Sequence, residues 1–255
     1  MKQRVISGTI IGILAVLLLF FGGLPFNLFL AFIAGWGSYE FCKARKKAFN
    51  IVEFLIMVVT ILLIIFFHEK ALGVVLSLIV VLIAYSIFYE DFTFEDVCYT
   101  FFETILLGFG SYQMLAIELT NKFLFGYIVI IAFLTDVFAL FTGMKFGKHK
   151  LNERVSPKKT IEGFIGGWLC GMIFSFVYAL IFKCFGVFST GEIFIFSLIL
   201  PIVSQIGDLA FSLIKRYFGI KDFSSLIPGH GGLLDRLDSL MFTLITFEAI
   251  FIFIA

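Results

Sequence analysis

The chain is a succession of apolar runs, at roughly 5–21, 26–42, 51–67, 71–89, 97–118, 123–143, 161–183, 191–214 and 237–255, joined by short polar connections. A helix that crosses a bilayer needs about 20 mostly apolar residues, and a single soluble core has no use for so many such segments in a row. Of the 255 residues 61% are hydrophobic, 37 are phenylalanine and only 15% are charged, against about 25% charged in soluble domains. An ordinary soluble enzyme is excluded, and lipid is the solvent against which this chain folds. The expectation is an all-α polytopic integral membrane protein with about nine transmembrane helices, forming a single transmembrane domain over 1–255.

Charge position gives the orientation. Met1-Lys2-Gln3-Arg4 precedes the first apolar run, and no small-x-small cleavage site follows it, so a retained first span is expected rather than a signal peptide. Lys and Arg in short loops stay cytoplasmic. With the N-terminus cytoplasmic, the nine runs put 16 of the 19 basic residues on that side and leave only Lys70, Lys122 and Lys183 on the other. One cytoplasmic connection, with Glu90, Asp91, Glu95 and Asp96, is acidic, and acidic residues weigh little in this rule. Cys42, Cys98, Cys170 and Cys184 show no metal-like spacing and read as small buried hydrophobes.

Polar residues inside the runs concentrate after residue 130. In the run before Lys215, steps of four, four and three from Ser204 through Asp208 and Ser212 to Lys215 draw a polar stripe on one helical face, with Gln205 beside it. Asp208 lies about 10 Å below Lys215 at 1.5 Å per residue, where an unpaired carboxylate is costly and calls for a counter-charge, a metal or water. The next connection carries Arg216, Lys221, Asp222 and the segment Pro228-Gly229-His230-Gly231-Gly232. Its glycines let backbone approach a ligand, and free N–H groups there can form an anion nest. Asp235 and Asp238 then lie three apart at the start of the last helix, with Arg236 between them. Hard oxygen donors amid cationic side chains suit Mg²⁺ and a phosphorylated substrate better than Zn²⁺. A second cluster joins Thr135-Asp136, inside its run, to Gly143, Lys145, Gly147-Lys148 and Ser156-Pro157-Lys158-Lys159-Thr160-Ile161-Glu162-Gly163. Its lysines and hydroxyls can grip phosphate or anionic lipid headgroups.

These residues resemble the phosphatidate cytidylyltransferases, or CDP-diacylglycerol synthases. That family's signature is met by Ser212, Lys215-Arg216, Lys221-Asp222, Pro228, His230-Gly231-Gly232 and Asp235-Arg236-Leu237-Asp238. Gly207-Asp208-Leu209, Ser156 to Gly163, Asp136 and even Lys2-Gln3-Arg4 also resemble it. Many members have Tyr where Leu140 stands and Glu where Phe211 stands, so neither position is given a polar role. The resemblance implies transfer of CMP from CTP to phosphatidic acid, releasing pyrophosphate, in phospholipid biosynthesis. Asp208, Asp235 and Asp238, with Asp136, would be metal ligands; Lys215 would join them at the reacting phosphates, and His230 would contact substrate phosphate or fix the glycine loop rather than act as nucleophile. Lys158, Lys159, Thr160, Ser212, Arg216, Lys221, Asp222, Gly231, Gly232 and Arg236 would bind substrate. Mg²⁺ is the implied cofactor, with K⁺ as a second ion. The partners are CTP, phosphatidic acid and membrane lipid, with no nucleic acid, in a homodimer of the inner membrane whose active site faces the cytoplasm.

Two rivals stand beside this reading. A CTP-dependent polyprenol or lipid kinase would share the architecture. A cation-coupled transporter would place carboxylates near the midplane and polar residues on both sides of it; here the polar groups gather on one side. Glu40, Glu103, Glu118 and Glu248 lie in or near apolar runs and belong to no polar stripe.

Overall fold

The computed structural model describes Leu17 and residues 21–182, 188–227 and 231–254. Eight α-helices account for most of them: α1 (Gly23–Ala44), α2 (Ile51–Phe66), α3 (Ala71–Phe88), α4 (Phe94–Thr120), α5 (Lys122–Phe146), α6 (Ile161–Ile181), α7 (Thr190–Tyr217) and α8 (Leu234–Ile254). They match the second to ninth apolar runs in order. The first run lies almost wholly outside the described residues. Four helices, counting α3 with the 3₁₀ turn His68–Lys70 that leads into it, and α5, α6 and α7, are long and apolar enough to cross a membrane; α2 is apolar but shorter. Their outer faces fit that solvent: Leu72, Val80 and Phe88 on α3 and Phe133 and Met144 on α5 are exposed, and only Leu78 and Leu82 of α3 are buried.

Helix starts follow side-chain caps. Asn50 accepts from the N–H groups of Val52 and Glu53, Asn121 from Phe123 and Leu124, and Ser189 forms a reciprocal pair with Glu192. The α4 helix starts at Phe94, ahead of its apolar run, because the Thr93 N–H and hydroxyl both donate to Asp96 Oδ2 at 2.8 Å. The fold is nearly, but not wholly, helical. Within the basic connection after α5, β1 (Lys150–Asn152) and β2 (Ser156–Thr160) form an antiparallel hairpin. Asn152 Oδ1 accepts the Val155 N–H at 3.2 Å across the turn, and Lys150 Nζ bonds the Pro157 carbonyl at 2.7 Å.

The described residues pack as two compact units, residues 1–116 with 222–235, and residues 117–221 with 236–255. In the first, Leu78, Leu82, Phe92 and Val97 form an apolar cluster with Ile56, Tyr85, Phe101 and Ile105 packed on it. Beside it lies a buried ion network. Arg45 bonds Glu53 and, at 2.8 Å, Asp96; Lys47 reaches Asp96 at 2.6 Å; Thr100 donates to Glu53 at 2.6 Å. Burial alone would raise the Asp96 carboxyl, but Lys47, Thr93 and Arg45 outweigh it and hold it below the ordinary aspartate range.

In the second unit, α6 buries a stripe of small residues, Gly163, Gly167, Gly171, Ser175 and Ala179, spaced four apart. This spacing brings α5 close, as small-xxx-small packing does in membranes. A Cβ at Gly167 would lie 2.7 Å from both Ala139 Cβ and the Thr135 carbonyl, and one at Gly163 would lie 2.7 Å from the Ala139 carbonyl. Phe188, Phe196 and Phe247 close the far end of this unit. Of the cysteines expected to be buried, Cys42 is, Cys170 is half-buried, Cys98 is exposed on the apolar surface of α4, and Cys184 lies outside the described residues.

Candidate active site

Three expected carboxylates lie within range of one another's charge in the second unit. Asp136 on α5, Asp208 on α7 and Asp238 on α8 are near enough that the charge of Asp238 is felt against those of both others. The close packing has a cause in sequence: a Cβ at Gly207 would lie 2.8 Å from the Asp238 carbonyl and 2.8 Å from Phe242 Cβ. Only glycine lets α7 and α8 approach there. Three like charges in a half-buried place repel unless cations intervene. Lys159 at the end of β2 supplies one, its Nζ 2.6 Å from Asp208 Oδ2. The charge of Lys215 acts on Asp238, and those of Lys159 and Arg236 on Asp136. Ser239 donates to Asp136 Oδ2 at 3.2 Å, and its backbone N–H bonds Asp238 Oδ1 at 2.8 Å.

The expected stripe on α7 is real. Ser204, Gln205, Ser212 and Lys215 are buried and Asp208 half-buried, and Gln205 Nε2 ties the stripe to α6 through the Phe164 carbonyl at 3.0 Å. Lys158, Arg216, Lys221, Asp222 and Arg236 are exposed. Arg216 bonds the Ile220 carbonyl at 3.0 Å and so finishes α7. The Thr160 hydroxyl caps α6 by accepting the Gly163 N–H at 3.1 Å, a structural task the sequence reading did not give it.

The glycine loop belongs to the first unit, and here one expectation is corrected. Among the described residues, the N–H groups of Gly231 to Leu234 are not free for an anion. Gly231 donates to the Ile227 carbonyl at 3.1 Å, and Gly232 to Asp235 Oδ2 at 2.8 Å. Leu233 and Leu234 donate to the two oxygens of Glu40, at 2.9 and 2.8 Å. These described N–H groups are taken by a backbone carbonyl and by two of the protein's own carboxylates, Asp235 and Glu40. Asp235 Oδ2 also accepts the Phe223 N–H at 2.9 Å. Gly231 has φ 85°, and a side chain there would fall 2.7 Å from Asp235 Oδ2. His230 lies outside the described residues.

A basic, membrane-class framework around clustered carboxylates is suited to polyanion transfer, and sequence comparison agrees. The profile of the cytidylyltransferase family matches residues 2–254. The chain belongs to this family. Among similar proteins, the phosphatidate cytidylyltransferase of Bacillus subtilis is 29% identical over 96% of this chain and 95% of its own length. That of Staphylococcus saprophyticus is 32% identical over 96% of each chain, and that of Staphylococcus haemolyticus 38% identical over 64% of this chain and 63% of its own.

The donor chemistry of this cytidylyltransferase fits Mg²⁺. Among the described residues no three His, Cys, Asp or Glu side chains converge tightly enough to enclose a metal ion. Mg²⁺ does not need such a cage, since it keeps several waters and is held by one or two carboxylates plus substrate phosphates. The mutual repulsion of Asp136, Asp208 and Asp238 is the feature that a divalent cation would relieve.

Sequence reasoning missed Glu40 and the Arg45–Glu53–Asp96 network. The signal existed: a carboxylate in an apolar run is functional or paired by default. Its partners, however, lie 184 to 194 residues along the chain for Ser224, Leu233 and Leu234, beyond any spacing rule.

Proposed function

We propose that this protein is a phosphatidate cytidylyltransferase. A phosphate oxygen of phosphatidic acid attacks the α-phosphorus of CTP, the bond from that phosphorus to the bridging β-phosphate oxygen breaks, and CDP-diacylglycerol and pyrophosphate result. The observation that carries the reading is the cluster of Asp136, Asp208 and Asp238 ringed by Lys159, Lys215 and Arg236 in a chain of this family. The nucleophile is already an anion, so no general base is required, and catalysis reduces to positioning and charge neutralisation.

In this proposal Asp208 and Asp238, with Asp136 beside them, would hold Mg²⁺, whose positive charge would lower the cost of bringing two polyanions together and of releasing pyrophosphate. Lys159, now paired with Asp208, is positioned to exchange that partner for a phosphate, with exposed Lys158 near it in sequence. Lys215 balances Asp238 from within the α7 stripe. Gly231 and Gly232 contribute shape rather than N–H donors, and Asp235 supports them. The same proposal includes nine spans, a cytoplasmic N-terminus, an active site facing the cytoplasm of the inner membrane, K⁺ as a second ion and a homodimer. It rests for orientation on the one-sided distribution of Lys and Arg.

The test is to incubate the purified protein with CTP labelled at the α-phosphorus, phosphatidic acid and Mg²⁺. Label in a CDP-lipid is expected. Untouched CTP with folded protein would sink the reading, and movement of a γ-phosphate label to a lipid alcohol would convert it to the kinase.

A further inference from the structure

The loop 222–235 carries Asp222, Gly231-Gly232 and Asp235 of the family pattern, yet its described ends, at Ser224 and at Leu233-Leu234, are held from far upstream. Glu40 on α1 is fully buried, and its partners among the described residues are all donors. Oε1 accepts from Trp36 Nε1 at 2.9 Å, from the Ser224 hydroxyl at 2.5 Å and from the Leu233 N–H at 2.9 Å; Oε2 accepts from the Leu234 N–H at 2.8 Å. A group that only accepts, held by donors alone, suits a carboxylate and no other side chain of its length. Two of the donors are the N–H of Leu234, the first residue of α8, which no intrahelical carbonyl can satisfy, and the N–H of Leu233 just before it. The adjoining residues of α1 serve the same loop. Gly37 packs alongside Leu234, whose Cδ2 would be in ordinary contact, 3.5 Å, with a Cβ there, and Phe41 meets Phe223 edge to face at 5.4 Å. Gly232 is in turn dictated by Glu40, since a Cβ on it would fall 2.5 Å from Oε1.

We infer that Glu40 is a positioning residue of the cytidylyl-transfer reaction: it touches no substrate and fixes the backbone of the glycine loop and the start of α8. This rests on the proposed function for its consequence in turnover, and on geometry alone for the anchoring.

Glu40→Gln keeps size and removes the match, because the amide NH₂ must face a donor and at least one loop N–H loses its acceptor. Glu40→Asp keeps both oxygens with a shorter reach. In the full-length protein in detergent, E40Q should lower kcat at least about tenfold while the KM for CTP changes less than about threefold, and E40D should recover much of the loss. The thermal midpoint should stay within about 5 °C, and amide exchange should quicken over 222–235 and not in α5 or α6. Wild-type kcat and wild-type exchange in folded E40Q would overturn the inference, as would a loss that E40D does not relieve. Should E40Q fail to fold, Ser224→Ala removes a single donor; faster exchange at Leu233 and Leu234 with reduced kcat supports the inference, and wild-type values for both refute it. If the wild-type protein makes no CDP-lipid, the proposed function fails separately, and the exchange measurement still decides whether Glu40 anchors the loop.

Discussion

Both units bury carboxylates, and they treat them in opposite ways. In the first, Glu40 is surrounded by donors, and Glu53 and Asp96 are neutralised by Arg45 and Lys47 with hydroxyls completing the set. In the second, Asp136, Asp208 and Asp238 are left within range of one another's charge, with Lys159 the direct ion-pair partner of Asp208. A satisfied carboxylate holds structure, whereas mutually repelling ones store an affinity for cations that no packing need explains. Glu103 is the exception in the first unit, its two buried oxygens finding no hydrogen-bond partner among the described residues.

The sharpest way to break this contrast is to neutralise the second set. Asp208→Asn and Asp238→Asn should each lower turnover by about 10³-fold or more, with folding intact and the thermal midpoint unchanged or raised by relief of repulsion. Turnover within tenfold of wild type in either variant would remove that residue from the metal site. Arg45→Ala asks the reverse question of the first set. It leaves Glu53 and Asp96 buried without their shared partner, so stability should fall by about 3–5 kcal/mol, read as a lower midpoint in detergent, while kcat per folded molecule holds. A variant that is stable but inactive would erase the distinction between the units.

Lys159→Met has a smaller effect. If its pairing with Asp208 is the resting form of a phosphate contact, the KM for CTP should rise about tenfold, equivalent to about 1.4 kcal/mol, with a modest change in kcat. A fall in stability with unchanged KM would make Lys159 a structural counter-ion instead.

What was legible in the sequence follows the range of the forces. Apolar runs fix where helices lie because each needs only its own residues and lipid, so all eight described helices coincide with expected runs. The α7 stripe was readable for the same reason, since steps of three and four lie on one helix. The hairpin 150–160 was not seen among its lysines, although Asn152 marks its turn. That the N–H groups of Leu233 and Leu234 are taken was not legible at all, because the carboxylate that accepts them is Glu40, nearly two hundred residues away in the chain. Glycines could be read as permissive, but not which atom each makes room for: Gly232 for Glu40, Gly207 for Asp238 and Phe242.

The smallest expected effect tests the ion network by pH. Asp96 is held below the ordinary aspartate value of 3.8 despite its burial, because Lys47, Thr93 and Arg45 favour the charged form. A depressed folded-state value means that its stabilisation is complete above the unfolded value and disappears as pH falls through the folded one. Each unit of depression corresponds to about 1.4 kcal/mol. The wild-type midpoint should therefore hold between about pH 7 and 5 and drop below about pH 4. Asp96→Asn should start lower, since Arg45 and Lys47 lose a partner, yet fall less steeply in acid because the group that titrates is gone. Parallel acid limbs for the two proteins would mean that the Arg45 network contributes nothing to acid sensitivity, and that the first unit's carboxylates are not the settled charges their geometry describes.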